Sequence, residues 1–173
     1  AKSAEVMNAF AKQISKMTDY ATGSFNLRKI ELQPFGMTTP GNFSDDGVLS
    51  MSTSLFTDPV EMQNSIKENT ANKYRVQENV DPLASMFTHE LAHAYTTPGA
   101  GKKLKGPAAR IMDLSKSMQG DRAKIGEISG YALENERETA AELISGAFHT
   151  SKENAPESMR LVKSMLGIGY SGG

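Results

Sequence analysis

Apolar residues recur at spacings of three and four over most of the chain, which is the pattern of amphipathic α-helices. In the first such segment, Val6, Phe10, Ile14 and Met17 would share one helical face. The same pattern predicts helices over residues 5–20, 59–72, 82–96 and 107–118, the later part of 131–149, a short helix after Asp121 and a last helix after Pro156.

Two stretches alternate between apolar and polar residues, which predicts β-strands. The first covers residues 25–35, and the second begins at Val48 and ends at Phe56. Serines occupy alternate positions of the second strand, at Ser50, Ser52 and Ser54. That strand could lie at a sheet edge and pair with an extended peptide, or it could be a half-exposed strand that binds nothing. Residues 36–47 between the strands are predicted to be a loop, and the whole pattern predicts an α+β fold.

The length of 173 residues predicts one domain over residues 1–173, and we expect a monomer. A net charge of −1 gives no reason to expect nucleic acid, and no apolar run is long enough for a membrane span. Because the chain has no cysteine, it has no disulfides and any zinc must use His, Asp, Glu and water. This composition suits a secreted, exported or virion-associated protein better than a cytoplasmic one. The start at Ala1 predicts a processed form or a domain excised from a longer chain.

A loop rich in glycine and proline, residues 97–107, carries three lysines, at Lys102, Lys103 and Lys105. They form a local positive patch that could favour an acidic substrate. The alternative is an ordinary solvated loop.

The sequence His-Glu-Leu-Ala-His at positions 89–93 carries two of the three histidines. Residues four apart lie on one face of a helix, so His89 and His93 can both present a ring nitrogen to one Zn²⁺. Glu90 lies at the edge of that face, where it can act as a general base on water without being a ligand. Asp81 is a good N-cap for this helix, and Pro82 suits its first position. The alternative is a buried helix whose histidines bind backbone partners.

Glu138 and Glu142 lie four residues apart, beside apolar residues of the 131–149 segment. Carboxylates in such a place need a partner, because unpaired burial is costly. As the third ligand, Glu138 would complete a His-His-Glu set with an open position, and Glu134 is its competitor. Glu142, one turn later, would accept a hydrogen bond from a ligand histidine. An acidic helix start favoured by the macrodipole would explain Glu134 and Glu136, but not Glu142.

Tyr131 precedes Glu138 by seven residues. In a continuous helix the two residues would share a face, two turns apart. If Gly130 and Asn135 mark a break, Tyr131 lies on the preceding loop and can reach over the metal. Its hydroxyl could then donate to the oxyanion of a tetrahedral intermediate.

These motifs resemble those of gluzincin-type zincin metallopeptidases, and most closely the catalytic domain of the anthrax toxin lethal factor family, which includes the Pro-Pro endopeptidases. That family has His-Glu-x-x-His-Ala, then a tyrosine, and seven residues later Glu-x-x-Ala-Glu. Positions 89–94, Tyr131 and positions 138–142 match this pattern. The resemblance covers residues 86–148.

The resemblance implies a zincin-like α+β fold, with a small mixed sheet, an edge strand, an active-site helix and C-terminal helices. It implies that His89, His93 and Glu138 bind zinc, that Glu90 is the general base, and that Tyr131 stabilises the transition state. It also implies an edge strand that holds substrate in the region of the second predicted strand.

The sequence therefore predicts a zinc-dependent endopeptidase with Zn²⁺ as its cofactor and a protein or peptide substrate, held along the strand from Val48 to Phe56. One alternative is a non-catalytic zincin-like binding or structural module of a toxin, virion or secretion system. Glu90 argues against it, because a structural zinc has no use for a base. Another alternative is a zinc hydrolase with a non-peptide substrate.

Overall fold

The computed structural model describes residues 2–21, 23, 25–36, 40–73, 82–151 and 155–168. Within these residues the chain is α+β, with helices and a three-stranded sheet. The helices are α1 (Lys2–Tyr20), α2 (Ser54–Thr57), α3 (Pro59–Lys73), α4 (Pro82–Thr96), α5 (Gly106–Ser117), α6 (Arg122–Ile128), α7 (Glu136–His149) and α8 (Glu157–Leu166). The strands are β1 (Lys29–Gln33), β2 (Gly41–Phe43) and β3 (Val48–Ser52), and a 3-10 helix, Tyr131–Leu133, precedes α7.

The predicted helices are confirmed, several of them to within a residue or two, because local signals set their ends. α4 has its predicted bounds, and its predicted cap, Asp81, lies outside the described residues. Asp121 caps α6 by accepting a hydrogen bond from the backbone N–H of Lys124. At the end of α8, Gly167 adopts a left-handed conformation with φ of 72°, which a glycine reaches without strain.

The second predicted strand begins at Val48 as expected, but its predicted end was wrong. It ends at Ser52, and residues 54–57 form α2 instead of continuing to Phe56. It is also not an edge strand, because β3 pairs with β1 in parallel on one side and with β2 antiparallel on the other. β2 lies inside the predicted loop and is three residues long, so it carries no detectable alternation. Within the described residues, the edges of this sheet are β1 and β2.

The first predicted strand is shorter than expected. It begins at Lys29, and part of the segment before it is bonded to α4 instead of the sheet. The backbone N–H of Asn26 donates to the carbonyl of Ala94 at 2.8 Å, which ties this segment to the end of α4.

Buried apolar side chains from the helices and the sheet form one cluster, with α4 and α7 packed along each other within it. Small residues on the two helices allow a close approach, and Ser85 Oγ lies 3.4 Å from Ser145 Oγ. On the α1 side, the Phe10 and Phe87 rings meet edge to face at 5.0 Å between centroids. Among the helices described, none has the combination of length and apolar character needed to cross a membrane.

Candidate metal centre

Two residues of α4 and one of α7 bring their polar atoms together. His93 Nε2 lies 2.6 Å from Glu138 Oε1, and His89 Nε2 lies 3.1 Å from Glu138 Oε2. The histidines share a face because they are one turn apart on α4. Glu138 lies in the first turn of α7, where the side chain of Asn135 caps the helix by accepting from the Glu138 N–H at 2.9 Å. The packing of α4 along α7 therefore places the carboxylate between the two imidazoles.

Glu138 and Glu134, the two candidates for the third ligand, lie in different surroundings. Glu138 contacts both histidines, and one atom from each of the three side chains lies within 4.8 Å of the others. Glu134 is exposed and makes no ion pair with any described residue. The geometry therefore favours Glu138 over Glu134 as the carboxylate of the cluster.

The far side of His89 is held by Glu142. His89 Nδ1 lies 2.8 Å from Glu142 Oε2, and the Glu142 side chain is 2% exposed. Its other oxygen, Oε1, accepts a hydrogen bond from Ser129 Oγ at 2.8 Å. A carboxylate on Nδ1 keeps the proton there, so Nε2, which donates to Glu138 in the zinc-free protein, is the nitrogen that a metal would take after that proton leaves. Ser129 carries no sequence motif from which this contact could be predicted.

The ring of His93 is fixed differently. Phe43 of β2 lies parallel to it, with 6.4 Å between centroids and 6° between planes. His93 Nδ1 is buried and has no hydrogen-bond partner in the described part of the chain. Phe43 was predicted to lie in a loop, and only the pairing of β2 with β3 brings it to this site.

These residues fit a zinc ion. Two imidazole nitrogens and a carboxylate oxygen are the donors that zinc uses in sites with an open position. In a tetrahedral site with bonds of about 2.0–2.1 Å, ligand atoms lie roughly 3.3 Å apart. His89 and Glu138 are close to that separation, and a small movement of Glu138 away from His93 would reach it.

The pKa values of Glu138 and His89 are shifted in opposite directions by their mutual contact. Burial alone would raise the pKa of Glu138, but hydrogen bonds from His89 and His93 outweigh it and hold the pKa well below its usual range. Burial alone would lower the pKa of His89, but the hydrogen bonds to Glu138 and Glu142 raise it well above its usual value. Glu138 is therefore a carboxylate at neutral pH, ready to bind a cation.

Glu90 lies beside the ligand cluster without joining it. The side chain is buried, and its Oε2 has no hydrogen-bond partner among the residues described. Burial raises the pKa of Glu90, while the neighbouring His89 and His93 act against that rise. Gly41 of β2 faces it, and a Cβ there would lie 3.4 Å from Glu90 Cγ. The absent side chain leaves the carboxylate room beside the sheet.

Tyr131 lies on the 3-10 helix before α7, so the break between Gly130 and Asn135 is the arrangement adopted. Its ring lies 5.5 Å from that of His89, measured between centroids. Burial raises the pKa of Tyr131, and the negative charge of Glu138 and a hydrogen bond with it add to the rise. The hydroxyl therefore stays protonated at neutral pH and can donate a hydrogen bond.

A cleft of about 210 Å³ opens onto this centre. Its walls come from β2, α4, the 3-10 helix and the start of α7: Gly41, Asn42, Phe43, His89, Glu90, His93, Tyr131, Asn135, Arg137 and Glu138. At its rim, Arg137 Nη2 forms an ion pair of 2.8 Å with Asp45 Oδ1, which joins α7 to the β2–β3 turn. Lys102 and Lys103 line a separate groove that meets the cleft at Arg137.

Comparisons with family models, with curated proteins and with solved structures found no match for this chain. Its function is therefore inferred from the motifs and the side-chain geometry alone.

Proposed function

We propose that this protein is a zinc-dependent endopeptidase with a zincin-like fold of the gluzincin type. The observation that carries the proposal is the buried Oε2 of Glu90, which has no hydrogen-bond partner within the described chain and lies beside the His89, His93 and Glu138 cluster. A carboxylate without a partner costs stability, so its presence next to three candidate ligands supports a chemical role.

His89, His93 and Glu138 would hold the ion. When bound, zinc supplies a Lewis acid that polarises the scissile carbonyl and lowers the pKa of the attacking water. Glu142 would keep the remaining proton of His89 on Nδ1 once Nε2 has given up its own proton to make room for the metal.

Glu90 is the general base in this proposal. Its raised pKa brings the carboxyl closer to the working pH, which suits a group that must both take and return a proton. Glu90 would take the proton of the attacking water and then deliver it to the leaving amine. Its place at the cleft wall gives it access to both positions.

Tyr131 is the hydrogen-bond donor for the oxyanion. Its raised pKa keeps the hydroxyl protonated, and its hydrogen bond with Glu138 holds the side chain at the cluster. It would donate to the carbonyl oxygen as negative charge develops there.

The free edge of β2 supports a peptide as substrate. The N–H of Ser52 donates to the Pro40 carbonyl and that of Ser44 to the Val48 carbonyl, so alternate residues of this strand bond to β3. By that alternation, Gly41 and Phe43 turn their backbone groups to the other edge. An extended peptide can pair there and lie across the cleft that both residues line. This replaces the strand from Val48 to Phe56 as the expected binding edge.

The experiment that tests the proposal measures metal content and the cleavage of a degenerate peptide pool. The variants are Glu90→Gln, which removes the base, and Glu134→Gln, which makes the same change at an exposed site. We expect all three proteins to hold about one zinc, because neither residue is a ligand in this proposal. We expect Glu90→Gln to lose roughly 10²–10⁴-fold in kcat, and Glu134→Gln to keep full activity.

Two results would contradict the proposal. A wild type that binds zinc but cuts no peptide would indicate a binding module or a hydrolase for another substrate. A wild type that binds no zinc would leave His89 and His93 as core histidines. A chelator should abolish cleavage in the wild type, and added zinc should restore it.

A further inference from the structure

The backbone of Ala132, next to Tyr131, is held by two buried hydroxyls. The N–H of Ala132 donates to Ser129 Oγ at 3.1 Å, and its carbonyl accepts from Thr139 Oγ1 at 2.7 Å. All three residues are at most 1% exposed, so water does not compete for these bonds. The two peptide groups on either side of the Ala132 Cα are therefore each held by one hydroxyl.

Ser129 has a second role in the same place. Its hydroxyl accepts from Ala132 and donates to Glu142 Oε1, which uses both functions of one hydroxyl group. Glu142 in turn holds His89 through its other oxygen. One side chain thus connects the turn that carries Tyr131 with the partner of a candidate ligand.

Thr139 holds the turn and ties it to the chain near the end of α5. Its hydroxyl proton is shared between the carbonyls of Ala132 and Asn135, at 2.7 and 3.0 Å. Its oxygen accepts from Gln119 Nε2 at 3.1 Å, which ties it to the end of α5. No hydrogen bond joins Thr139 to the ligand side chains in the part of the protein described.

We propose that Ser129 and Thr139 are positioning residues with separable effects. Ser129 orients both His89, through Glu142, and Tyr131, through Ala132, whereas Thr139 orients Tyr131 alone. The part that concerns catalysis rests on the proposed peptidase function.

A short 3-10 helix needs such support. It spans three residues, with few internal hydrogen bonds of poor geometry, and by itself it holds a side chain loosely. Displacement of a catalytic group by about 1 Å can cost roughly a hundredfold in rate. The hydrogen bonds between the Ala132 backbone and the hydroxyls of Ser129 and Thr139 form a clamp. This clamp supplies the rigidity that the 3-10 helix lacks.

The first measurement is zinc affinity, by competition with a chelator. We expect Ser129→Ala to weaken binding by about tenfold or more, because Glu142 loses a partner and holds His89 less well. We expect Thr139→Val and the control Ser115→Ala to leave the affinity within about twofold. Ser115 is equally buried, but its hydroxyl donates to the Ile111 carbonyl of its own helix. Equal affinity in all four proteins, wild type included, would overturn the role of Ser129 at His89.

The second measurement is amide hydrogen exchange of Ala132 in the zinc-free protein. We expect both Ser129→Ala and Thr139→Val to speed exchange relative to the wild type and Ser115→Ala, because each removes one side of the clamp. Unchanged exchange in both variants would overturn the clamp. This readout does not depend on activity, so it judges the inference even if the wild type cuts no peptide. If Ser129→Ala does not fold, Ser129→Cys replaces it in both measurements.

The third measurement is peptide cleavage. We expect Thr139→Val to lower kcat by roughly tenfold with KM little changed. In a Tyr131→Phe background the same substitution should have no further effect on kcat, because the hydroxyl it positions is gone. An additive effect of Thr139→Val in that background would show that it acts elsewhere.

Discussion

Replacement of Glu142 by glutamine tests how strongly the buried carboxylate supports the metal centre. Glu142 makes two hydrogen bonds of 2.8 Å, one with His89 Nδ1 and one from Ser129 Oγ. Glutamine has the same shape but no charge and only one acceptor oxygen. If that oxygen faces His89, the NH2 group of the glutamine faces Ser129, whose hydroxyl then has no carboxylate to donate to.

The magnitude follows from this change of partners. A charge-assisted hydrogen bond is about twice as strong as a neutral one, and loss of such a partner commonly costs roughly 10–100-fold in metal affinity. That factor equals about 1.4–2.7 kcal/mol. With zinc in excess, zinc binding therefore stabilises the Glu142→Gln variant by that much less than it stabilises the wild type. At roughly 2–4 °C per kcal/mol for a chain of this size, the zinc-dependent rise in Tm should shrink by roughly 3–11 °C.

The assay is thermal unfolding with and without zinc, together with competition by a chelator. The control is Glu134→Gln, because Glu134 is an exposed acid close to the start of α7. We expect its zinc-dependent rise in Tm to match the wild type. A folded Glu142→Gln protein whose zinc affinity is within twofold of wild type would refute the role of Glu142 in orienting His89.

Three further predictions concern α4, α7 and α8. Asn135→Ala should destabilise the protein by about 0.5–2 kcal/mol in denaturant unfolding, because α7 loses its cap. A Cβ at Gly146 would clash with Met159 Cε, so Gly146→Ala should destabilise the protein by up to about 2 kcal/mol. In a Met159→Ala background the same substitution should stabilise it by about 0.5–1 kcal/mol, because helix propensity alone remains. Zinc binding at pH 7 should release about one proton from His89, whose pKa is raised in the zinc-free protein, and calorimetry in buffers of different ionisation enthalpy measures this release.

The helices and the chemistry-bearing residues were readable from local spacing. The bounds of α4 follow from start and stop signals next to its ends. The placement of His89 and His93 on one helical face depends on spacing within a single turn, and so does that of Glu138 and Glu142. The break before α7 was signalled by two residues, Gly130 and Asn135, although spacing alone left a continuous helix open.

The sheet order and the supports of the site were not readable in this way. β2 is too short for alternation, so the free edge was assigned to β3. Phe43 and Ser129 carry no motif, and their contacts with His93 and Glu142 join residues 50 and 13 positions apart in the chain. Local sequence specified which side chains can bind a metal, because that depends on helical periodicity. Which strand edge faces the cleft, and what holds Tyr131, depend on how separate elements pack, and only the folded chain determines this.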